Sequence, residues 1–360
     1  MANISFIVKQ KLDSAIKALC RDFSSHVKRP GKDFSRNRKL PFEEVIRFLL
    51  PLQGQCMDQE LFRHFSKKSL FFSTDYSDIP HSSAMIQARQ KLSDSAMPAL
   101  FHSFTETCKK GALFQGYQLL AIDGSQFSVP ENLKEPLCWR KIPNISKGRN
   151  VIHLNAMYHL QSGIFEDVVF QPICECNEHK ALAQMVDRRT SASPAIFMAD
   201  RGYEGYNTFA HMEQHGNKYV VRGRESGTGI CSGLNLPDTD EYDIEKELYI
   251  CKRHSKKVKT NPRKYKRIRS DATFDFFTDD CEEYRLNLRI VKIKLSETTT
   301  EVLFTNLSKE EFSSDDLKQL YHMRWGIETA FDQLKYALGA ASVHSKNSEL
   351  VIQELYGKLI

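Results

Sequence analysis

The chain has 360 residues, a net charge of +6, 41% apolar residues and nine scattered cysteines. That length buries a real core in one large or two to three modest domains, and the composition excludes disordered and collagenous classes. No apolar run reaches the roughly 18 residues of a membrane helix, charges break up the opening "MANISFIVKQKLDS", and an odd number of cysteines suits reduced thiols, so a cytoplasmic protein with no membrane span or signal peptide is expected.

Residues 1–112 read as helical. Pro41 opens "PFEEVIRFLLPL", where a missing N–H costs nothing, and Glu43 and Glu44 fill the first turn. The stretch 82–108, "SSAMIQARQKLSDSAMPALFHSFTETC", has the same character, and a basic cluster, "HVKRPGKDFSRNRKLP", covers 26–41.

From residue 113 to 223 the pattern changes to α/β. "YQLLAIDGSQFSVP" reads as an apolar strand ending in an acidic turn. "HLNAMYHL" and "IFEDVVFQP", separated by Gln161-Ser162-Gly163, complete an antiparallel meander. "NEHKALAQMVDRR" is an amphipathic helix, "PAIFMADRGY" a buried strand ending in an acid, "GYNTFAHMEQHG" a helix and "KYVVRG" a short strand, an order that builds a mixed sheet. Cys174, Cys176 and His179 lie close together, but no second Cys or His pair follows at the interval of zinc modules, so structural zinc is not expected.

Residues 224–312 interrupt this order with a Gly- and Ser-rich opening and the β-type runs "ATFDFFTDD", "YRLNLRIVKIKL" and "EVLFTNL", which read as a largely β insertion. The glycines form no dinucleotide fingerprint, because no strand–turn–helix unit surrounds them. Within the insertion, "KRHSKKVKTNPRKYKRIR" (252–269) has Lys or Arg at ten of eighteen positions, including Lys256, Lys257, Arg263 and Lys264. Such a run is either a phosphate-binding surface or a solvated loop, and the second basic cluster at 26–41 favours a polyanionic partner.

Residues 313–360 return to helix, with Ser313 as cap and Asp316 three residues on. In "YHMRWGIETAFDQLK" (321–335), a rotation of about 100° per residue puts Arg324, Glu328 and Lys335 roughly −60°, −20° and −40° from Tyr321, on one narrow stripe. Ile327, Phe331, Leu334 and Leu338 share a neighbouring face that reads as packed on a core. The stripe is either an ordinary solvated face or part of a cleft.

Asp123 and Asp200 each follow an apolar strand, in "LLAIDGS" and "IFMADRGY". Asp favours strand exits, but two matched instances plus Glu328 on a later helix invite another reading. If the two strands are neighbours, the acids converge, and three crowded carboxylates need cations between them. Oxygen donors with room for water and phosphate suit Mg²⁺, for which Mn²⁺ can substitute, and a pair of such ions about 4 Å apart supports in-line phosphoryl displacement. Arg324 and Lys335 would then hold backbone phosphates, with Tyr321 donating to one.

Asp123 in "AIDGS", Asp200 in "ADRGY" and the series Tyr321, Arg324, Glu328, Lys335 together resemble the signature of DDE transposases of bacterial insertion sequences. The resemblance is to the IS-four-like group, marked by Y-x2-R-x3-E-x6-K, and spans residues 34–360. It implies a ribonuclease H-like mixed-sheet catalytic core interrupted by a β-rich insertion and preceded by a helical DNA-end-binding domain. It also implies cut-and-paste transposition of the chain's own insertion sequence in the bacterial cytoplasm, on the nucleoid. The steps would be end nicking, hairpin formation, hairpin opening and strand transfer. The implied partners are double-stranded DNA, as element ends and target, and a second protomer on that DNA. Trp325, at about +40° on the same helix, is either an aromatic platform for an unstacked base or a packing residue. Arg201, next to Asp200, either touches phosphate or pairs with an acid. The group's proteins usually continue past "ELYGKLI", so a truncated copy is expected. The alternative to an active enzyme is then a DNA-end-binding protein without turnover that inhibits transposition, and a third reading is a general nuclease on the same fold.

Overall fold

Residues 4–36, 38–66, 79–109, 113–141, 148–225, 229–269, 272–279 and 282–360 are described by the structure, a computed structural model. Parts of three sequence features therefore lie outside the described residues: position 37 of the first basic cluster, 226–228 of the Gly/Ser-rich opening, and 280 at the end of "ATFDFFTDD".

The amino-terminal third is helical, as the sequence predicts: α1 (Ile4–Arg21), α2 (Phe42–Leu49), α3 (Met57–Ser66), α4 (Ser82–Arg89) and α5 (Ala96–Cys108). Pro41 stands just outside α2 as its cap, with Glu43 and Glu44 in the first turn, where acids suit the positive end of the helix dipole. The α/β section follows as β1 (Gln118–Val129), β2 (Trp139–Lys141), β3 (Gly148–His159), β4 (Ile164–Pro172), α6 (Glu178–Asp187), β5 (Ala195–Ala199), α7 (Tyr206–Glu213) and β6 (Lys218–Gly223). Next come β7 (Tyr242–Cys251), α8 (Lys256–Thr260), β8 (Tyr265–Arg267), β9 (Glu283–Ser296) and β10 (Thr299–Thr305). The chain ends with α9 (Ser314–Met323), α10 (Trp325–Asp332), a π-helical turn (Gln333–Ala337) and α11 (Ser348–Leu359).

The fold is mixed α/β around one large mixed sheet. Among the described residues ten strands join in the order β2-β3-β1-β5-β6-β10-β9-β7-β8, with β4 also paired to β3. β1, β5 and β6 run parallel to one another, while β3 is antiparallel to β1 and β10 to β6. The strands between 224 and 312 thus extend the central sheet through the β10–β6 pairing instead of forming a sheet of their own. "ATFDFFTDD" does not pair. Phe274, Phe276 and Phe277 instead cluster against Tyr284 of β9, so their β-type composition serves packing. β3 and β4 form the expected hairpin, with Gly163 at φ +68° supplying the left-handed turn residue.

Strand alternation decides which face each side chain meets. Ala121 and Phe127 of β1 join a core with Phe48, Phe101, Ile327, Phe331 and Val351, so the amino-terminal helices and α10–α11 share one apolar cluster on one face of the sheet. Ile196 and Met198 of β5 and Val220 of β6 face the same side, against Leu317 and Leu320 of α9. Leu120, Ile122, Phe197 and Val221 face the other side, against α6 and α7. Among the described residues no helix is long and apolar enough to cross a membrane.

Candidate active site

The parallel register Ile122↔Ala199 and Ala199↔Val221 carries one step further to Asp123, Asp200 and Arg222, at the end where the pairing of these three strands stops. β5 ends at Ala199, but β1 runs on to Val129, so the acidic turn expected at Asp123 is instead a continuing strand paired with β3. A crevice at that end is where open α/β sheets offer room for a ligand. Asp123 shares its face with Ala121, and Asp200 shares its face with Met198, so both acids point towards α9 and α10.

Those two helices are placed by ordinary means. Ser313 and Asp316 form a reciprocal capping box, as the sequence predicts: the Asp316 N–H donates to Ser313 Oγ at 3.2 Å and the Ser313 N–H to Asp316 Oδ2 at 2.8 Å. Arg324 interrupts the expected continuous helix, since its N–H bonds Tyr321 O and Ile327 N–H bonds Arg324 O, both spanning three residues. Gly326 then lets α10 approach the sheet, because a Cβ there would stand 2.7 Å from Leu160 Cδ2. The π-helical turn after Asp332 shifts the phase of the remaining residues. Ile327, Phe331 and Leu334 are buried as expected, while Leu338, expected on that face, is 53% exposed.

Tyr321, Arg324 and Glu328 converge with the two aspartates. Tyr321 Oη donates to Asp200 Oδ1 at 3.2 Å; Arg324 Nη1 donates to Asp123 Oδ2 at 3.3 Å and its Nη2 to Glu328 Oε1 at 2.7 Å. The Arg324 guanidinium lies against the rings of Tyr321 and Trp325, 5.4 and 5.6 Å from their centroids. It is buried, yet its Nε meets no acceptor among the described residues. Asp123, Asp200 and Glu328 keep part of their surface open to solvent.

Burial pushes the Asp123 carboxyl above the usual carboxylate range, against the Gly124 N–H and Arg324, which hold it down; Glu328 and Asp200 push it further up. Burial likewise raises the Tyr321 phenol. Tyr321 and Arg324 are therefore buried beside the aspartates, while Glu328 keeps part of its side chain open to solvent.

Lys335 departs from them. It sits in the π-helical turn with its Nζ 5.5 Å from the Phe127 ring centroid. Trp325 is 54% exposed, with the Arg324 guanidinium against its ring. Arg201 is exposed in the turn after Asp200 and, with Arg222, Arg224 and Glu301, lines a recess of about 370 Å³.

The basic run is remote from the acids, on α8, β8 and their flanks, with β8 six strand positions from β1. Lys256 and Arg263 are exposed there, whereas Lys257 pairs with Glu283 at 3.4 Å and Lys264 with Glu247 at 2.9 Å.

Two neighbours of the cluster were not singled out from sequence. Arg222 reaches Asp200 at 3.8 Å and Glu301 at 3.0 Å, and Glu301 is a buried carboxyl raised by that burial. Arg222 ends the apolar strand "KYVVRG", the same signal that picks out the aspartates. Glu301 had no comparable signal, for its partner lies 79 residues away in a strand pairing that composition does not reveal.

A cluster of carboxylates and arginines set between the parallel strands β1, β5 and β6 and the helices α9 and α10 is the class of site the fold presents. Comparison with known proteins gives the family: residues 114–360 match the model described as Transposase DDE domain, and the chain belongs to that family. Over 79 residues it is 32% identical to the putative transposase InsL for insertion sequence element IS186A of Escherichia coli (strain K12). It matches the transposase for insertion sequence element IS421 of Escherichia coli to the same extent. Each match covers 22% of this chain and 21% of the relative, so the chain spans about a fifth of the length of those curated relatives. Among solved structures it is similar to the piggyBac transposase synaptic complex with hairpin DNA, at 11% identity and TM-score 0.48, over 96% of this chain and 73% of that one.

Proposed function

We propose that the chain is a DNA transposase of the IS-four-like group, which cuts its insertion sequence out through nicked and hairpin ends and joins it to target DNA. The observation that carries this reading is that one helical segment ties the three acids together, with Arg324 bridging Asp123 and Glu328 and Tyr321 bonding Asp200, in a chain of the Transposase DDE domain family.

These three carboxylates are the groups that would hold divalent cations, Mg²⁺ with Mn²⁺ as substitute. Their donors are all oxygen and come from three separate elements with part of each left open, which fits hard ions that keep water and phosphate in their shell. Bound there, such ions activate water or a 3′-hydroxyl and neutralise charge on the phosphate under attack. Arg324 and Tyr321 hold the acids in place, and the unused Arg324 Nε is a donor for a DNA phosphate. Trp325 offers its exposed face to a base displaced at the hairpin, and Arg201 and Lys335 take flanking phosphates. The run from 252 to 269, with Lys256, Lys257, Arg263 and Lys264, engages DNA further from the cut.

In this reading residues 113–223 and 313–360 form a ribonuclease H-like core, 224–312 a β-rich insertion and 1–112 an end-binding region, working as a homodimer on DNA at the bacterial nucleoid. The test is cleavage of a plasmid carrying the gene and its natural flanks, with Mg²⁺ or Mn²⁺, beside an Asp200→Asn control. Cuts at the element ends that vanish in the control establish the enzyme. Binding of those ends without cutting replaces it with an end-binding inhibitor.

A further inference from the structure

Behind the strand that carries Asp123, on the opposite face of the sheet, three different ligand types meet. His153 stands on β3 and Glu178 opens α6, with Cys176 just before it. A ring nitrogen, a thiol sulfur and a carboxylate oxygen from these residues all lie within 4.8 Å of one another, the one such group among the described residues. The face follows from register. Gly124 pairs with Asn155 and Gln126 with His153, so His153 shares the side of Gly124 and not that of Asp123. A Cβ at position 124 would stand 2.5 Å from His153 Nε2 and 2.9 Å from Glu178 Oε1. The glycine of "IDGS" is therefore what lets these two side chains meet across the strand.

Two buried polar groups there lack the partners that buried polar groups normally have. His153 is 4% exposed and its Nδ1 has no hydrogen-bond partner, while its Nε2 stands 3.2 Å from Glu178 Oε1, a contact that holds the Glu178 carboxyl below its usual range. Tyr203 Oη is equally buried and unpartnered, and the anions that face it are Glu178, Asp123, Cys176 and Asp200. By contrast, the neighbours that sequence proximity would recruit are engaged elsewhere. His179 Nδ1 lies 2.7 Å from Thr208 Oγ1, and Cys174 Sγ contacts Trp139 O at 3.5 Å.

We propose that His153, Cys176 and Glu178 form a binding site for a borderline-soft divalent cation, Zn²⁺ by its chemistry, separate from the oxygen-only site of Asp123, Asp200 and Glu328. One imidazole, one thiolate and one carboxylate are the donors such an ion takes, and three protein ligands leave a fourth position open for water. The ligands of a tetrahedral zinc stand about 3.3–3.7 Å apart, so the group closes by roughly an ångström on binding. Glu178, with its side chain 37% exposed, and the half-buried Cys176 supply that movement while buried His153 stays fixed. Binding releases the Cys176 proton to solvent, with no change of oxidation state.

The test is titration of the metal-free full chain with Co²⁺ in excess Mg²⁺, which keeps the oxygen-only site occupied. One equivalent of Co²⁺ is expected, with a thiolate-to-cobalt charge-transfer band that Zn²⁺ abolishes. The band should disappear in Cys176→Ser, persist in Cys174→Ser and in Asp200→Asn, and require at least tenfold more Co²⁺ in His153→Gln. Absence of the band in the wild-type chain overturns the site, and needs no variant to fold. A band that survives Cys176→Ser, or is lost in Cys174→Ser, overturns it as well.

Discussion

Two ion clusters in this molecule are built around a buried arginine and differ in how far they are closed to solvent. The first is Arg324 with Asp123 and Glu328. The second is Arg89 of α4 with Glu354 of α11, where Nη2 stands 2.9 Å from Glu354 Oε1 and both side chains are at most 2% exposed. Arg89 also donates to Leu350 O at 2.7 Å, while Glu354 Oε2 accepts from both the backbone N–H and Nδ1 of His344 at 2.9 Å. His344 Nε2 lies 3.9 Å from Glu60, which accepts from the N–H groups of Gln53 and Gln55. That cluster joins α3, α4 and α11 and admits no solvent. Each cluster leaves buried polar atoms without a hydrogen-bond partner, Glu354 Oε1 and His344 Nε2 in one and Arg324 Nε in the other, but the Arg324 cluster also leaves its carboxylates part open to solvent. A closed cluster stabilises one arrangement of helices, whereas an open one with unbalanced like charges is suited to receive a ligand.

The largest effects should separate the two clusters cleanly. Asp123→Asn or Asp200→Asn is expected to lower DNA cleavage at least a thousandfold, about 4 kcal/mol of barrier, with the thermal midpoint little changed because the acids repel one another. Cleavage within tenfold of wild type would remove that aspartate from the site. Glu354→Gln should do the reverse. Leaving Arg89 and His344 buried without their anion costs about 3–5 kcal/mol in urea unfolding, while the protein that remains folded keeps its DNA chemistry. A loss under about 1 kcal/mol would show that this cluster is not closed in the sense described.

Arg324→Lys sharpens the contrast at the next level. Lysine keeps the charge but loses the planar fork that reaches two carboxylates at once. A ten- to hundredfold fall in cleavage at saturating metal is expected, equal to about 1.4–2.7 kcal/mol. Unchanged cleavage would mean that the fork does not order the acids.

How much of this could be read from the chain depends on the range of the interaction. Asp123 and Asp200 were visible because an acid after an apolar run is a local pattern, although only Asp200 follows the end of its strand, and the Ser313–Asp316 cap spans three residues. The burial of Ile327, Phe331 and Leu334 followed from helical periodicity. That periodicity failed at Leu338, where a π-helical turn inserts extra rotation with no residue type to mark it. Arg222–Glu301, Arg89–Glu354 and the meeting of His153 with Cys176 and Glu178 depend on which strands and helices become neighbours. The placement of β10 beside β6 is of the same kind. Its composition indicates a strand but not the sheet it joins.

The smallest expected effect is in the pH dependence of stability, where two groups of opposite sign, His344 and Glu354, meet within the closed cluster. Burial alone would lower the His344 pKa, but Glu354 and, less, Glu60 raise it above its ordinary value. A raised histidine contributes stability that is fully present below about pH 6.5 and is lost as pH rises through the folded value. Glu354 is moved the other way. Burial would raise its carboxyl, yet His344 and Arg89 hold it below the ordinary range, so its contribution is present above about pH 4.3 and lost as pH falls through the folded value. The closed cluster is therefore strongest between those limits. Asp123, raised by burial, adds stability only when protonated, and that part is lost as pH rises through its folded value. Urea unfolding at pH 5.5 and pH 8 should show a different change in stability for His344→Gln than for the wild-type chain, the variant lacking the part that His344 loses as pH rises. An equal difference in His344→Gln and wild type would assign the pH dependence to groups outside the closed cluster.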